Sequence, residues 1–489
     1  MNLAERLLKA QVLTQEELAP ALYRQKKNRG FLAKHLLDLK LLEADVLAKF
    51  VHSQPPPPAT LEETGLPRNL LTQLILKHCY FRDAVTGREM SHDIKIPKHL
   101  TELLLEYLKD QNYLCVKPRD ILTKNNSMPM EMRYTLTDTG RIYAEQCLEA
   151  NRYVGPAPVP LEDYWDWVEA QTIHQVQVEQ QRLKEVFGDY VVSPSLLNKI
   201  GPAINSGRSI FLFGPSGNGK TVMANCIGHT FEDAVYIPYA IYVYGQIIRV
   251  YDEVNHQPVP QPPRESSSHD SRWILCRRPV VIAGGEMTEE ALELKFNPIT
   301  KFYEAPHQLR ANNGVFIIDD FGRQKVSPRQ LLNRWMYPLE TRQDFCSLHT
   351  GQQFGIPFDQ LIIFSTNLNP YSLADEAFLR RIRHKIFVGY VSPEQYLEIF
   401  RRVCKEHNIT FDAEAIRDMM ARYYVISARP LCACHPRDLI ENLVDRARFM
   451  GQTPQLSSQE LDYVCATYFV KPMGITDYDA IGEEPKPMV

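Results

Sequence analysis

Residues 214–221 read Gly214-Pro215-Ser216-Gly217-Asn218-Gly219-Lys220-Thr221. Three glycines within six positions let the backbone curl with its N–H groups pointing inward, which suits an anion. A helix beginning at about Lys220 adds the partial positive charge of its N-terminus. The Lys220 ammonium then reaches the β- and γ-phosphates, and the Thr221 hydroxyl ligates Mg²⁺. The chemistry is that of a nucleoside triphosphate. Two carboxylates, Asp319 and Asp320, end the apolar run Gly314-Val315-Phe316-Ile317-Ile318. Asp319 is the acid on the metal side, and Asp320 polarises the attacking water. Leu361–Ser365 is a third apolar run, and it leads through Thr366 to Asn367, an uncharged amide suited to holding the water or the γ-phosphate.

These residues need strands that end at one edge. Ser209–Phe213 precedes the glycine loop directly, as a phosphate loop requires. Ser209–Phe213, Val235–Pro238, Val315–Ile318 and Leu361–Ser365 alternate with helical patterns. That predicts an α/β domain with a parallel sheet over 176–388, followed by a mostly helical region at 389–470. The stretch between Thr221 and Asp319 is long. Tyr236–Val254 and Trp273–Gly285, split by the Pro/Ser-rich Pro258–Ser268, read as inserted β-hairpins. Lys295-Phe296-Asn297 reads either as an aromatic loop facing a pore or as a core aromatic.

Upstream, Leu7-Leu8, Leu13, Leu18, Leu22 and Gln25 recur at Leu36-Leu37, Leu42, Leu47, Val51 and Gln54, each offset by the same step. Helical spacing within each unit predicts a small all-α repeat domain at 1–54, with Thr14 and Glu17 as a capping box. A proline spacer at 55–60 leads to 61–154. There, helices at Leu70–Cys79 and Leu100–Gln111, a hairpin from Tyr113–Val116 to Arg133–Leu136 across the Asn125-Asn126-Ser127 turn, and a helix from Arg141 follow in order. Residues 155–175 form a linker and 471–489 a Pro-, Gly- and acid-rich tail.

The chain has 489 residues and a net charge of −4, so there is no global electrostatic case for nucleic acid or an acidic membrane. No apolar run approaches the roughly 18–20 residues of a membrane span, so no membrane insertion is expected. Ten scattered cysteines suit a reducing cytoplasm. Cys432-Ala433-Cys434-His435 lacks a second ligand pair at zinc spacing.

The order of these motifs resembles AAA+ ATPases: Walker A at 214–221, Walker B at 315–320 and a sensor-1-like strand ending at Asn367. Phe378-Leu379-Arg380-Arg381-Ile382-Arg383 resembles the arginine-finger segment, with Arg381 aligning best and Arg380 close behind. Cys434-His435-Pro436-Arg437-Asp438-Leu439 resembles the sensor-2 motif. The resemblance implies ATP with Mg²⁺, a helical lid, Arg437 on the nucleotide of its own subunit, and Arg381 or Arg380 on that of a neighbour. It implies a homo-oligomeric ring, commonly a hexamer. Ala377–Ile382 and Arg323 look like the MoxR-type branch, and the Asp319-Asp320 pair is similar to the DnaA/DnaC-like branch. Residues 61–154, with Tyr134-Thr135-Leu136-Thr137 and Gly140-Arg141, resemble a winged helix, which binds DNA or protein. The paired repeat resembles the N-terminal domain of type II secretion and type IV pilus assembly ATPases, some of which bind cyclic di-GMP. Here Asn2-Leu3-Ala4 and Phe31-Leu32-Ala33 stand where those units begin Arg-Leu-Gly, which favours protein docking over cyclic di-GMP. The expected function is an ATPase of bacterial type that remodels a protein client which no residue identifies. A DNA-associated ATPase and a weakly hydrolysing ATP switch stay open.

Overall fold

The computed structural model describes residues 10–28, 32–43, 54–117, 132–260, 269–373 and 375–469, with residues 4, 7, 8 and 46 besides. The site rests on a five-stranded sheet: β1 (Ile210–Phe213), β2 (Val280–Ala283), β3 (Val315–Ile318), β4 (Leu361–Thr366) and β5 (His384–Phe387). The order is β2-β3-β4-β1-β5, and every pair is parallel. Alternation along the strands divides their side chains between two cores, as a sheet covered on both faces requires. Ile210, Leu212, Val315, Ile317, Leu361 and Ile363 face one core, which includes Ala224 and Ile227 of the helix Lys220–Gly228. Phe211, Phe316, Ile318, Ile362 and Phe364 face the other, built around Trp335 of the helix Pro328–Thr341.

Two strand expectations are corrected. Val235–Pro238 does not join the parallel sheet; it pairs antiparallel with Trp273–Arg277. The strand beside β3 is instead Val280–Ala283, from within the stretch expected to be a hairpin. A short apolar run does not disclose its sheet by periodicity. Arg278-Pro279 makes the division here. The Arg278 guanidinium is bound by Asp233 and by the Gln171 and Asn313 carbonyls, and the Pro279 carbonyl accepts the Val315 amide. β5 was not expected as a strand. It is an edge strand in which only Ile386 is buried, so its sequence reads as polar.

The insertion between Thr221 and Asp319 builds a second sheet, in the order 295–297, 302–304, 246–249, 240–243, 159–160. Ala240–Val243 and Gln246–Arg249 form the expected hairpin. Phe296 packs as the core alternative describes. It stacks on His349 at 4.4 Å between centroids and packs on Tyr303 at 5.0 Å, against the insertion's core.

Residues 68–150 fold as helices Arg68–Tyr80, Gly87–Ile94, Lys98–Asp110 and Asp138–Ala150 with a three-stranded antiparallel sheet. The second helix was not anticipated. Its signal was the Thr86/Glu89 capping box, which forms in both directions. The Asn125–Ser127 turn lies outside the described residues. This unit is fastened to the insertion. Its core takes in Ala240 and Ile247, and Asn151 Nδ2 donates to the Lys301 carbonyl. The buried Arg272 pairs with Asp270 and donates to the Thr64 and Pro158 carbonyls.

At the N-terminus the Thr14/Glu17 box opens the helix Gln15–Asn28, which packs with Leu32–Asp38 around Leu7, Leu13, Leu18 and Leu36. The repeat positions Leu3, Leu47 and Val51 and the tail 471–489 lie outside the described residues. Residues 393–468 form a helical unit around Tyr396, Phe400, Leu439 and Leu461. Among the described residues no helix is long and apolar enough to cross a membrane.

Candidate nucleotide site

The glycine loop leaves the carboxyl end of β1 and enters the helix Lys220–Gly228. Gly217 and Gly219 have φ of +77° and +79°, the left-handed region that glycine enters at no steric cost. A Cβ on Gly214 would stand 2.1 Å from the Val388 carbonyl oxygen, just past β5. The loop is therefore glycine-rich for its curl and for close approach by a neighbouring strand. Lys220 Nζ donates to the Pro215 carbonyl at 2.8 Å across the loop's mouth. Burial pushes its pKa down, while Asp320 and Asp319 pull it back. Asn218 Nδ2 donates within the loop to the Pro215 and Ser216 carbonyls.

The Thr221 hydroxyl lies 2.8 Å from one Asp319 carboxylate oxygen and 3.1 Å from the other. A strand-end acid and a helix-start hydroxyl, distant in sequence, thus meet beside the loop. This donor set fits Mg²⁺, a hard cation that takes a few protein oxygens and completes its shell with water and phosphate. Among the described residues no cluster of three His, Cys, Asp or Glu side chains could enclose a metal.

The end of β3 is held by neighbouring strand ends. The Asp319 amide donates to the Ala283 carbonyl at 2.9 Å, and the Phe321 amide donates to the Ser365 carbonyl at 2.7 Å. Thr366 Oγ1 donates to the Phe321 carbonyl at 2.6 Å. Gln324 Nε2 donates to the Asp319 carbonyl at 2.7 Å. Between these anchors Asp320 turns left-handed, at φ +48°, and its side chain is exposed to the cleft. Thr366 and Gln324 were not anticipated as supports, because their role depends on where Phe321 and Asp319 finish.

A cleft of about 1050 Å³ opens over the loop. Ser216–Thr221, Asp320, Asn367 and Arg437 line it together. Residues 187–192 and the helix Pro393–Glu406 close it with Val191, Val192, Ile399 and Val403. No motif marked these residues, and their convergence is tertiary. The helical unit also bonds directly to the loop. The Cys434 amide donates to the Gly217 carbonyl at 2.9 Å, and the Ala433 amide donates to Asn218 Oδ1 at 3.2 Å. Cys434 thus sits against the glycine loop, while His435 Nδ1 meets the Tyr424 hydroxyl at 2.9 Å.

The two finger candidates do not line this cleft. Arg381 is held within its own chain, by Glu340 at 2.7 Å and by the Ala377 carbonyl at 2.8 Å. Arg380 is exposed. Arg437 does line the cleft, with Glu406 2.9 Å from its Nη2.

Residues 392–467 match a family described as a domain of unknown function (DUF8689). No curated protein matches the chain. Solved structures similar to it include NtrX from Brucella abortus in complex with ADP, at 16% identity and TM-score 0.36, covering 62% of each chain. A second NtrX structure from Brucella abortus matches at 14% identity and TM-score 0.35, covering 71% of this chain and 65% of that one. A point mutant of RuvB from Thermotoga maritima matches at 10% identity and TM-score 0.31, covering 59% of this chain and 70% of that one. The chain thus spans less than two thirds of either NtrX chain.

Proposed function

We propose that the chain is a AAA+ ATPase that binds ATP with Mg²⁺ and hydrolyses it to act on a protein partner. The observation that carries this reading is the meeting of Thr221 and Asp319 beside the glycine loop, with Lys220, Asp320 and Asn367 turned to one cleft. The loop amides and Lys220 take the phosphates. Thr221 and Asp319 would hold Mg²⁺, which would supply charge neutralisation at the phosphates. Asp320 accepts a hydrogen bond from the attacking water, and Asn367 orients it. Val191, Val192, Ile399 and Val403 offer an apolar slot for the base.

Arg380 supports an oligomer. It is exposed and lies away from its own cleft, whereas Arg381 is committed to Glu340. A cation for the γ-phosphate would then come from a second copy, with Arg380 the freer candidate. A hexameric ring is the arrangement the resemblance implies.

A protein partner is favoured over DNA by the helix Lys98–Asp110, the third helix of the 61–154 unit. On its exposed face Glu102 is paired with Lys98, which leaves Glu106 and Asp110 as acids that repel a phosphate backbone.

Equilibrium binding of a fluorescent ATP analogue and phosphate release test the reading. Lys220→Ala is expected to lose binding. Asp320→Asn is expected to keep it while turnover falls by roughly 10²–10⁴-fold, the range for a positioned general base. Unchanged turnover in Asp320→Asn would remove Asp320 as the base. Tight binding with no phosphate release by the unaltered chain would leave the nucleotide switch as the function. That second reading draws on Asp320 itself, a short acid exposed at the cleft mouth.

A further inference from the structure

We propose that Glu406 is a positioning residue that holds Arg437 off the nucleotide, so that an arriving triphosphate must displace a carboxylate to recruit this arginine. The inference rests on the reading of the cleft as an ATP site.

Glu406 ends the helix Pro393–Glu406, and Arg437 lies in the first turn of the helix His435–Phe449. Glu406 Oε2 accepts a hydrogen bond from Arg437 Nη2 at 2.9 Å, and Glu441 Oε1 stands 3.9 Å from Nη1. Arg437 and Glu406 both line the cleft that holds Ser216–Thr221. Arg402, another cation of the lining, is engaged elsewhere, by the Gly188 carbonyl and Glu398. An anion settling on the loop therefore meets a guanidinium already bound on one edge, with a carboxylate beside it.

The pair is about half exposed, at 51% and 53%. Exposed pairs contribute little to stability and exchange partners readily. That weakness suits a contact that breaks at each binding event, and ill suits a bridge meant to hold the helices together. Those helices are joined by their own core through Phe400, Val403, Leu439 and Leu443.

The test uses the full chain, Mg²⁺ and a ribose-labelled fluorescent ATP analogue in equilibrium titration. Glu406→Gln keeps the side chain's shape and removes its charge. It is expected to tighten the analogue about two- to five-fold, the scale of an exposed ion pair. In an Arg437→Met background the same change is expected to have no effect, and thermal midpoints should stay within a degree or so in both backgrounds. Unchanged or weaker binding in Glu406→Gln overturns the proposal. Equal tightening in the Arg437→Met background also overturns it, since a general field effect would then suffice. A chain that fails to bind the analogue at all overturns the ATP reading, whereas normal binding with no Glu406 effect overturns only the role of Glu406.

Discussion

Asp320 shows how much of the site depends on single residues. Its backbone is left-handed, which Asp tolerates better than most side chains. The hydrogen bonds at Phe321 and Thr366 hold it there. Lys77 is a residue-scale feature with a stability consequence. It is 4% exposed on the helix Arg68–Tyr80, and burial pushes its pKa from 10.5 to about 8. Below pH 8 it is protonated in both folded and unfolded chains, and the cost of burying the charge is fully present. Between pH 8 and 10.5 the folded chain releases the proton first, so stability rises with pH across that window. Lys77→Met is therefore expected to raise the unfolding free energy from urea titration at pH 7 by on the order of 1–3 kcal/mol. The gain should shrink as pH approaches 10.5. A gain independent of pH would assign it to packing instead. The residues of the glycine loop and the Asp319-Asp320 pair were legible in the sequence because spacing and a flanking strand identify them. Thr366, Gln324 and Glu406 were not, because no local pattern distinguishes a supporting side chain from a surface one.

At the scale of elements, the glycine loop and the helical unit above it form one seam. A Cβ on Gly217 would stand 2.6 Å from Cys434 Sγ, and the +77° φ disfavours any side chain there. Gly217→Ala is thus expected to weaken nucleotide binding about tenfold, as the left-handed backbone alone costs roughly 1–2 kcal/mol. Adding Cys434→Ala should restore part of the loss, because it relieves the clash and leaves the backbone cost. Identical affinities for the single and double variants, by the same titration, would show that the Cys434 thiol adds nothing to the cost. The strands β1, β3 and β4 were legible as apolar runs ending in polar chemistry. β2 and β5 were not. One shares its apolar stretch with an antiparallel strand, and the other is a charged edge.

Across the whole molecule, a buried ion pair within the insertion anchors the chain on either side of the 68–150 unit, at Thr64 and Pro158. Arg272 and Asp270 are 2% and 3% exposed, and the Asp270 amide also donates to the Pro55 carbonyl. Arg272→Met leaves Asp270 without its cation and is expected to cost about 3–5 kcal/mol. A urea titration that shows less than about 1 kcal/mol would mean that solvent reaches the pair. At this scale Arg380 becomes testable as well. A homogeneous Arg380→Ala assembly is expected to lose turnover by roughly 10³-fold or more, as for other arginines supplied in trans. Mixing it with Lys220→Ala chains should recover part of that turnover, because each variant supplies what the other lacks. Full activity of homogeneous Arg380→Ala would remove it as the finger.

The sequence by itself determined the chemistry of the phosphate loop, the acids that follow it and the alternation of strands that positions them. Those signals are local. Glycine spacing, a strand that ends in carboxylates and a capping box each lie within a few residues of chain. Only the tertiary structure decided that Arg381 is bound by Glu340 while Arg437 faces Glu406, and that the 273–285 stretch divides between two sheets. These depend on contacts between residues tens of positions apart, which pattern within one segment does not encode.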